Sequence, residues 1–163
     1  MPKQSTIAAA KRDKAQGKSA GTQAGEFIKE EMDKIRSGET GARNTKQAIA
    51  ISLSEARRSG VNLKPPARGK VSEKTKKSAQ SAYEKGQRHE PVDPVRSRAR
   101  EKAMKKEPHT AASPAALSKQ ARTAAQQRTA TDRSASAKKA ARTKGPSVRS
   151  AAAKKAAKTR SQG

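Results

Sequence analysis

The sequence predicts a mainly α-helical chain with extensive disorder. A helical hairpin is expected over about residues 22–60, followed by a basic linker and tail that are nascent-helical or disordered. Three observations lead there. Residues 44–60 (NTKQAIAISLSEARRSG) spell out one complete helix with both of its ends. Leu, Ile, Val and Phe fill only 14 of 163 positions, too few for a large core. The chain carries 39 basic and 14 acidic side chains, a formal charge of +25, and the excess is concentrated toward one end.

The helix of residues 45–59 is the best specified. Asn44 is placed to cap it, and Gln47 stands where a capping box takes Glu or Gln. Ile49, Leu53 and Ala56 share one face with Ala48 beside them, Arg57 and Arg58 suit the negative end of the helix dipole, and Gly60 supplies a left-handed C-cap. Upstream, Phe27, Ile28, Met32 and Ile35 form an apolar stripe over residues 22–37, ended by Gly38. Packing this stripe on Ile49 and Leu53, with Ile51 as a further contact, gives the hairpin, and Val61 and Leu63 fold back over it as a lid. So few bulky side chains leave the pair marginal alone, so a homodimer through the hairpin or a bound partner is expected to complete its burial.

The remaining segments are read as follows. Residues 1–21 form a flexible arm with a short helix around Ile7 to Ala15. Residues 22–63 hold the hairpin, and residues 64–71, with Pro65 and Pro66, a stiff linker. Residues 72–108 are a basic helical or linker region, in which Asp93 followed by Pro94 starts a helix. Ser113 and Pro114 repeat that device in the tail of residues 109–163. The tail contains a true repeat: RSASAKKAART (133–143) returns as RSAAAKKAAKT (149–159), with Gly145 and Pro146 between the copies. Two polar copies are too few for a solenoid.

Charge and composition narrow the function classes. Residues 1–63 hold 12 basic and 7 acidic groups, whereas from residue 109 onward a single acid, Asp132, faces 13 Lys and Arg. Such self-repulsion calls for a polyanion. The expected contacts are Lys119, Arg122, Arg128, Arg133, Lys138, Lys139, Arg142, Lys144, Arg149, Lys154, Lys155, Lys158 and Arg160. One Phe, one Tyr and no Trp provide no stacking platform for single strands, so duplex DNA is the expected partner and structured RNA the second candidate. No segment joins a basic face to bulky apolar residues, and none is a membrane span or signal peptide, so a cytoplasmic, nucleoid-bound protein without membrane contact is expected.

No catalytic, metal or cofactor site and no small-molecule substrate is expected. Cysteine is absent, and His89 and His109 stand far apart in linker sequence. Gly17-Lys18-Ser19 matches the end of a phosphate-binding loop, but Arg12 occupies the position of the first glycine. Glu30, Glu31 and Asp33 are read as a solvated face, because no core is expected that would form a cleft.

Two stretches resemble known sequences. GARNTKQAIAISLSEARRSG (41–60), with AGEFIKEE (24–31) upstream, resembles a family of small basic bacterial proteins of unknown function, over roughly residues 5–65. That resemblance implies a bacterial origin and transfers no activity. The tail is similar to the Lys/Ala/Pro-rich tails of linker histones and bacterial histone-like proteins, which implies a nucleoid-associated role in condensing duplex DNA. Two alternatives stand beside it: a protein-interaction or dimerisation adaptor centred on the 45–59 helix, and an RNA- or ribosome-associated factor.

Overall fold

A computed structural model describes residues 1–67, 69 and 71–161. The expected linker positions 68 and 70 and the last two residues of the tail lie outside the described residues. Among the described residues seven α-helices follow in order: α1 (Gln4–Ala15), α2 (Ala20–Arg36), α3 (Thr45–Arg58), α4 (Glu73–Gln87), α5 (Pro94–Met104), α6 (Pro114–Gln126) and α7 (Ala130–Ser161). A 3-10 turn, Thr110–Ala112, stands between α5 and α6, and no strand occurs among the described residues. The chain divides into two units, Met1–Gln120 and Ala121–Gly163.

Local chemistry sets the helix ends. Ser19, Asn44, Ser72 and Asp93 each accept a backbone N–H from the first turn of the helix they precede. The Asn44 cap forms at 2.9 Å, but Gln47 accepts from the backbone N–H of Arg43, not of Asn44, so the expected box is displaced by one residue. α1 to α3 end on Gly17, Gly38 and Gly60, all at positive φ. At each, the next residue donates back into the last turn, as Glu39 N–H does to the Lys34 carbonyl at 2.9 Å. α4 ends the same way with His89 in the left-handed region, a conformation in which non-glycine residues are uncommon.

In the first unit α2 packs between α1 and α3, α4 packs on the far side of α3, and the 3-10 turn packs on α2 and α3. Its core has two halves. Met32 and Ile35 meet Ala42, Ala48, Ala111 and Ala112, with Ile28, Ile49 and Leu117 at the margin. Phe27 meets Ala10, Ala24, Ala56 and Val61, with Ile7, Leu53 and Leu63 at the margin. Phe27 and Ile35 are 1% and 0% exposed within the single chain.

Three expectations are corrected. Residues 1–21 are not a flexible arm. α1 lies on α2 through Thr6, Ala10 and Asp13, one turn apart, and the backbone N–H of Lys3 donates to the Glu30 carboxylate at 2.9 Å. The innermost face of α3 is Ala48, Ser52 and Ala56, with Ile49, Ile51 and Leu53 only partly buried. Small side chains bring the α2 and α3 backbones close, and the Ser52 hydroxyl is satisfied by the Ala48 carbonyl at 2.8 Å. Extensive disorder is replaced by helix. Alanine and glycine permit close helix contact in the first unit, and alanine propensity supports the helices of the tail.

Residues 104–112 close the end of the α2–α3 pair. Gly41 and Ala42 donate backbone N–H groups to the carbonyls of Met104 and Pro108 at 3.0 and 2.9 Å. The Thr45 hydroxyl donates to the Ala111 carbonyl at 2.6 Å in a buried position. Thr45→Val keeps the shape but leaves that carbonyl unsatisfied, and is expected to cost about 1–3 kcal/mol in urea unfolding, where Thr45→Ser costs less.

Candidate nucleic-acid interface

The second unit is organised by α7. Thr129 caps it in a reciprocal pair, its Oγ1 accepting the Asp132 backbone N–H at 3.1 Å and donating to the Asp132 carboxylate at 2.8 Å. Gly145, at φ 69° and ψ 169°, interrupts it directly before Pro146. Both residues suit a break: the proline disfavours helical geometry at the residue before it, and glycine alone readily takes this conformation. Two helical halves result, one for each copy of the repeat.

The register within the halves is the same. Arg133, Lys138, Lys139, Arg142 and Lys144 in the first recur as Arg149, Lys154, Lys155, Lys158 and Arg160 in the second. At 100° per residue these five positions are distributed around the helix, and each set spans roughly 16 Å along the axis. No α7 residue is buried. A helix this polar on every side has no face to pack and is displayed to solvent.

Lys119, Arg122, Arg128 and the ten α7 cations are all exposed. Among the described residues, no cation from Arg122 to Arg160 takes part in an ion pair. Asp132, the one acid nearby, is engaged in its cap.

A further basic surface on the first unit was missed in the sequence. Arg98, Lys102 and Lys106 recur every four residues along α5 and just past its end, forming one ridge with about 6 Å between successive positions. All three are exposed, and none has a side-chain hydrogen bond or ion pair among the described residues. The spacing was visible as sequence. The helix started by Asp93 and Pro94 was legible in this basic helical or linker region, but its cations had not been sorted by face.

The acids of α2 are not a solvated face, which corrects the sequence reading. Glu30 and Glu31 are 9% and 2% exposed, because α1 and α3 cover them, while Asp33 stays outside with Arg36. Burial pushes the Glu30 carboxyl up, but hydrogen bonds from Lys34, Thr6 and the Lys3 backbone outweigh it and hold Glu30 below its ordinary value. Burial also raises Glu31, the Glu55 charge adds to this, and Lys34, Thr40 and Arg100 offset only part. Glu31 is thus raised in the fold. Its contribution to stability is complete below the unfolded value near 4.5 and is lost as pH rises through the folded value. Glu31→Gln is therefore expected to raise the melting temperature at neutral pH, with the gain vanishing below about pH 4.5 in a thermal series.

His89 and His109 are exposed, with their rings against the glycine caps Gly60 and Gly38. No group of three or more His, Asp or Glu is placed to hold a metal, and no helix is long and apolar enough to cross a membrane, among the described residues. Comparison of the chain with protein-family models, curated proteins and solved structures finds no match, so the likeness to a bacterial family rests on the quoted residues alone.

Proposed function

We propose that this protein binds duplex DNA without sequence choice, in the manner of a nucleoid-associated protein, by neutralising phosphates with the cations of α6 and α7. The observation that carries this reading is the repeated set of exposed α7 cations, Arg133 to Lys144 and Arg149 to Arg160, with no acid in the sequence between Arg133 and Arg160. Each Lys or Arg seated on a phosphate releases a condensed counterion, an entropic gain that needs no base contact. Alanine fills half of the positions between the α7 cations and no Asn or Gln stands among the rest, leaving few side chains to read base edges. The α5 ridge of Arg98, Lys102 and Lys106 is a second exposed basic surface, on the first unit.

The adaptor reading has less support. It needs an accessible face on α3, whereas Ile49 and Leu53 are packed within their own chain. Phe27, Met32 and Ile35, offered for dimerisation, are buried in the monomer.

A gel-shift series on the full chain tests the proposal. Glutamine at Lys138, Lys139, Arg142, Lys154, Lys155 and Lys158 should greatly weaken binding to unrelated duplexes alike, with helicity kept. Unchanged affinity would defeat the assignment to α7. Preference for structured RNA over duplex at equal salt would favour the RNA reading.

A further inference from the structure

Within the first unit lies a cleft of about 560 Å³, in the size range of ligand sites. One wall is formed by α2, α3 and α4, the other by α5, which buries no residue of its own. The ends of α5 are tied down: the Arg58 guanidinium donates to the Pro91 carbonyl before it, and Gly41 N–H to the Met104 carbonyl at its close. The helix therefore stands off the bundle instead of packing on it. Its outward ridge is the basic surface above, and its other side faces the cleft.

Besides Arg58, which donates to the Pro91 carbonyl, and the charged Met1 terminus, four charges line this space without an ion pair. Glu31 and Glu55 come from the bundle wall, Arg96 and Arg100 from α5, and none of the four makes an ion pair among the described residues. Other lining charges are already engaged: Lys34 with Glu30, Lys85 with Glu90, Glu101 with Lys105, and Asp93 in the α5 cap. Glu31 is the deepest of the four. One of its oxygens accepts a long hydrogen bond from Thr40, at 3.4 Å, and the other has no donor among the described residues. Among the described residues no fully enclosed side-chain oxygen or nitrogen lacks a partner, so that second oxygen is not sealed in, and Glu31 lines the cleft.

With Glu31 and Glu55 lacking an ion pair on the bundle wall, and Arg96 and Arg100 lacking one on α5, the cleft selects a dipolar occupant. A dianion is repelled by the acids, and a diamine by the arginines. An ammonium brings three donors to the two acids, and a carboxylate matches the guanidinium fork. Arg96 and Arg100, one turn apart, stand on the same side of α5. Ser54 on α3 and Ser78 and Ser81 on α4 add hydroxyl-bearing residues to the bundle wall.

We propose that this cleft binds a zwitterion of amino-acid or dipeptide size, its ammonium on Glu31 and Glu55 and its carboxylate on Arg96 and Arg100. The site is independent of the DNA-binding surfaces and stands whether or not the chain binds DNA.

The test is titration of the full, isotope-labelled chain, followed by amide NMR, with glycine, γ-aminobutyrate, ε-aminocaproate and glycylglycine. Putrescine and succinate serve as controls carrying charges of one sign. The expected result is saturable shifts around residues 31, 55, 96 and 100 with at least one zwitterion, tighter than with either control. Arg100→Gln should weaken that binding about tenfold. This variant changes an exposed residue on a helix that buries nothing, so its fold is not at stake; Glu31→Gln should weaken binding to a similar extent. The proposal is overturned if no zwitterion saturates, if putrescine or succinate binds as tightly, or if Arg100→Gln leaves the affinity unchanged.

Discussion

Gly86→Ala is expected to destabilise the first unit by about 3 kcal/mol, seen as a fall of roughly 10 °C in melting temperature. The cause is contact distance, since Gly86 is an ordinary helical residue without positive φ. A Cβ built there would sit 1.8 Å from the Arg57 carbonyl oxygen and 3.0 Å from the Arg58 Cα. Both are backbone atoms of α3 and cannot rotate away, so α4 would have to lift off α3. Ala79 and Ala82, buried at 8% and 7%, belong to the same close approach and would open with it. Gly41→Ala meets the Glu107 carbonyl oxygen at 1.9 Å and should loosen residues 104–112 from the α2–α3 pair by a comparable mechanism. Gly25 is the control. Nothing lies within 4 Å of its Cβ position in the interior of α2, so Gly25→Ala should gain about 0.5–1 kcal/mol from helix propensity and chain entropy. A melting temperature for Gly86→Ala equal to that of the parent would show that α4 does not pack on α3 in this way.

The affinity for duplex DNA is expected to fall about 10³-fold or more between roughly 50 and 200 mM salt, if six or more cations contact phosphates together. Each contact contributes about 0.9 to the slope of log affinity against log salt. Glutamine at the six α7 positions should therefore remove roughly 5 from that slope. Changing Arg98, Lys102 and Lys106 together should remove roughly 2–3, if the α5 ridge reaches the same duplex. Measured across several sequences, the losses should be uniform, because contacts to phosphate carry no sequence information. A slope that stays the same in both variants, with binding still present, would place the contacts elsewhere on the molecule.

The two predictions rest on different physics, and they differ in how far the sequence alone reveals them. Charge on α7 needs no tertiary context. Exposed lysines and arginines at fixed spacing on an alanine-rich segment remain exposed, because nothing bulky is present to cover them. The caps at Asn44 and Asp93 and the glycine stops at Gly38 and Gly60 were legible for a similar reason, since each acts within a few residues of itself. Gly86 and Gly41 carry no such local mark. Each is required by a backbone carbonyl from a segment 29 or 66 residues away, Arg57 and Glu107 respectively.

Sequence by itself determined the caps at Asn44 and Asp93, the glycine stops at Gly38 and Gly60, and the excess of positive charge at one end. Bulky side chains were too few to indicate a core, because helices that meet through alanine, serine and glycine gain contact from backbone proximity, which residue-by-residue hydrophobicity does not register. Only the tertiary structure decided that α1 belongs to the bundle, that Glu30 and Glu31 are covered, and that α5 stands off to leave a cleft. Those outcomes depend on distances between segments far apart in the chain, and the periodicity within any one segment does not contain them.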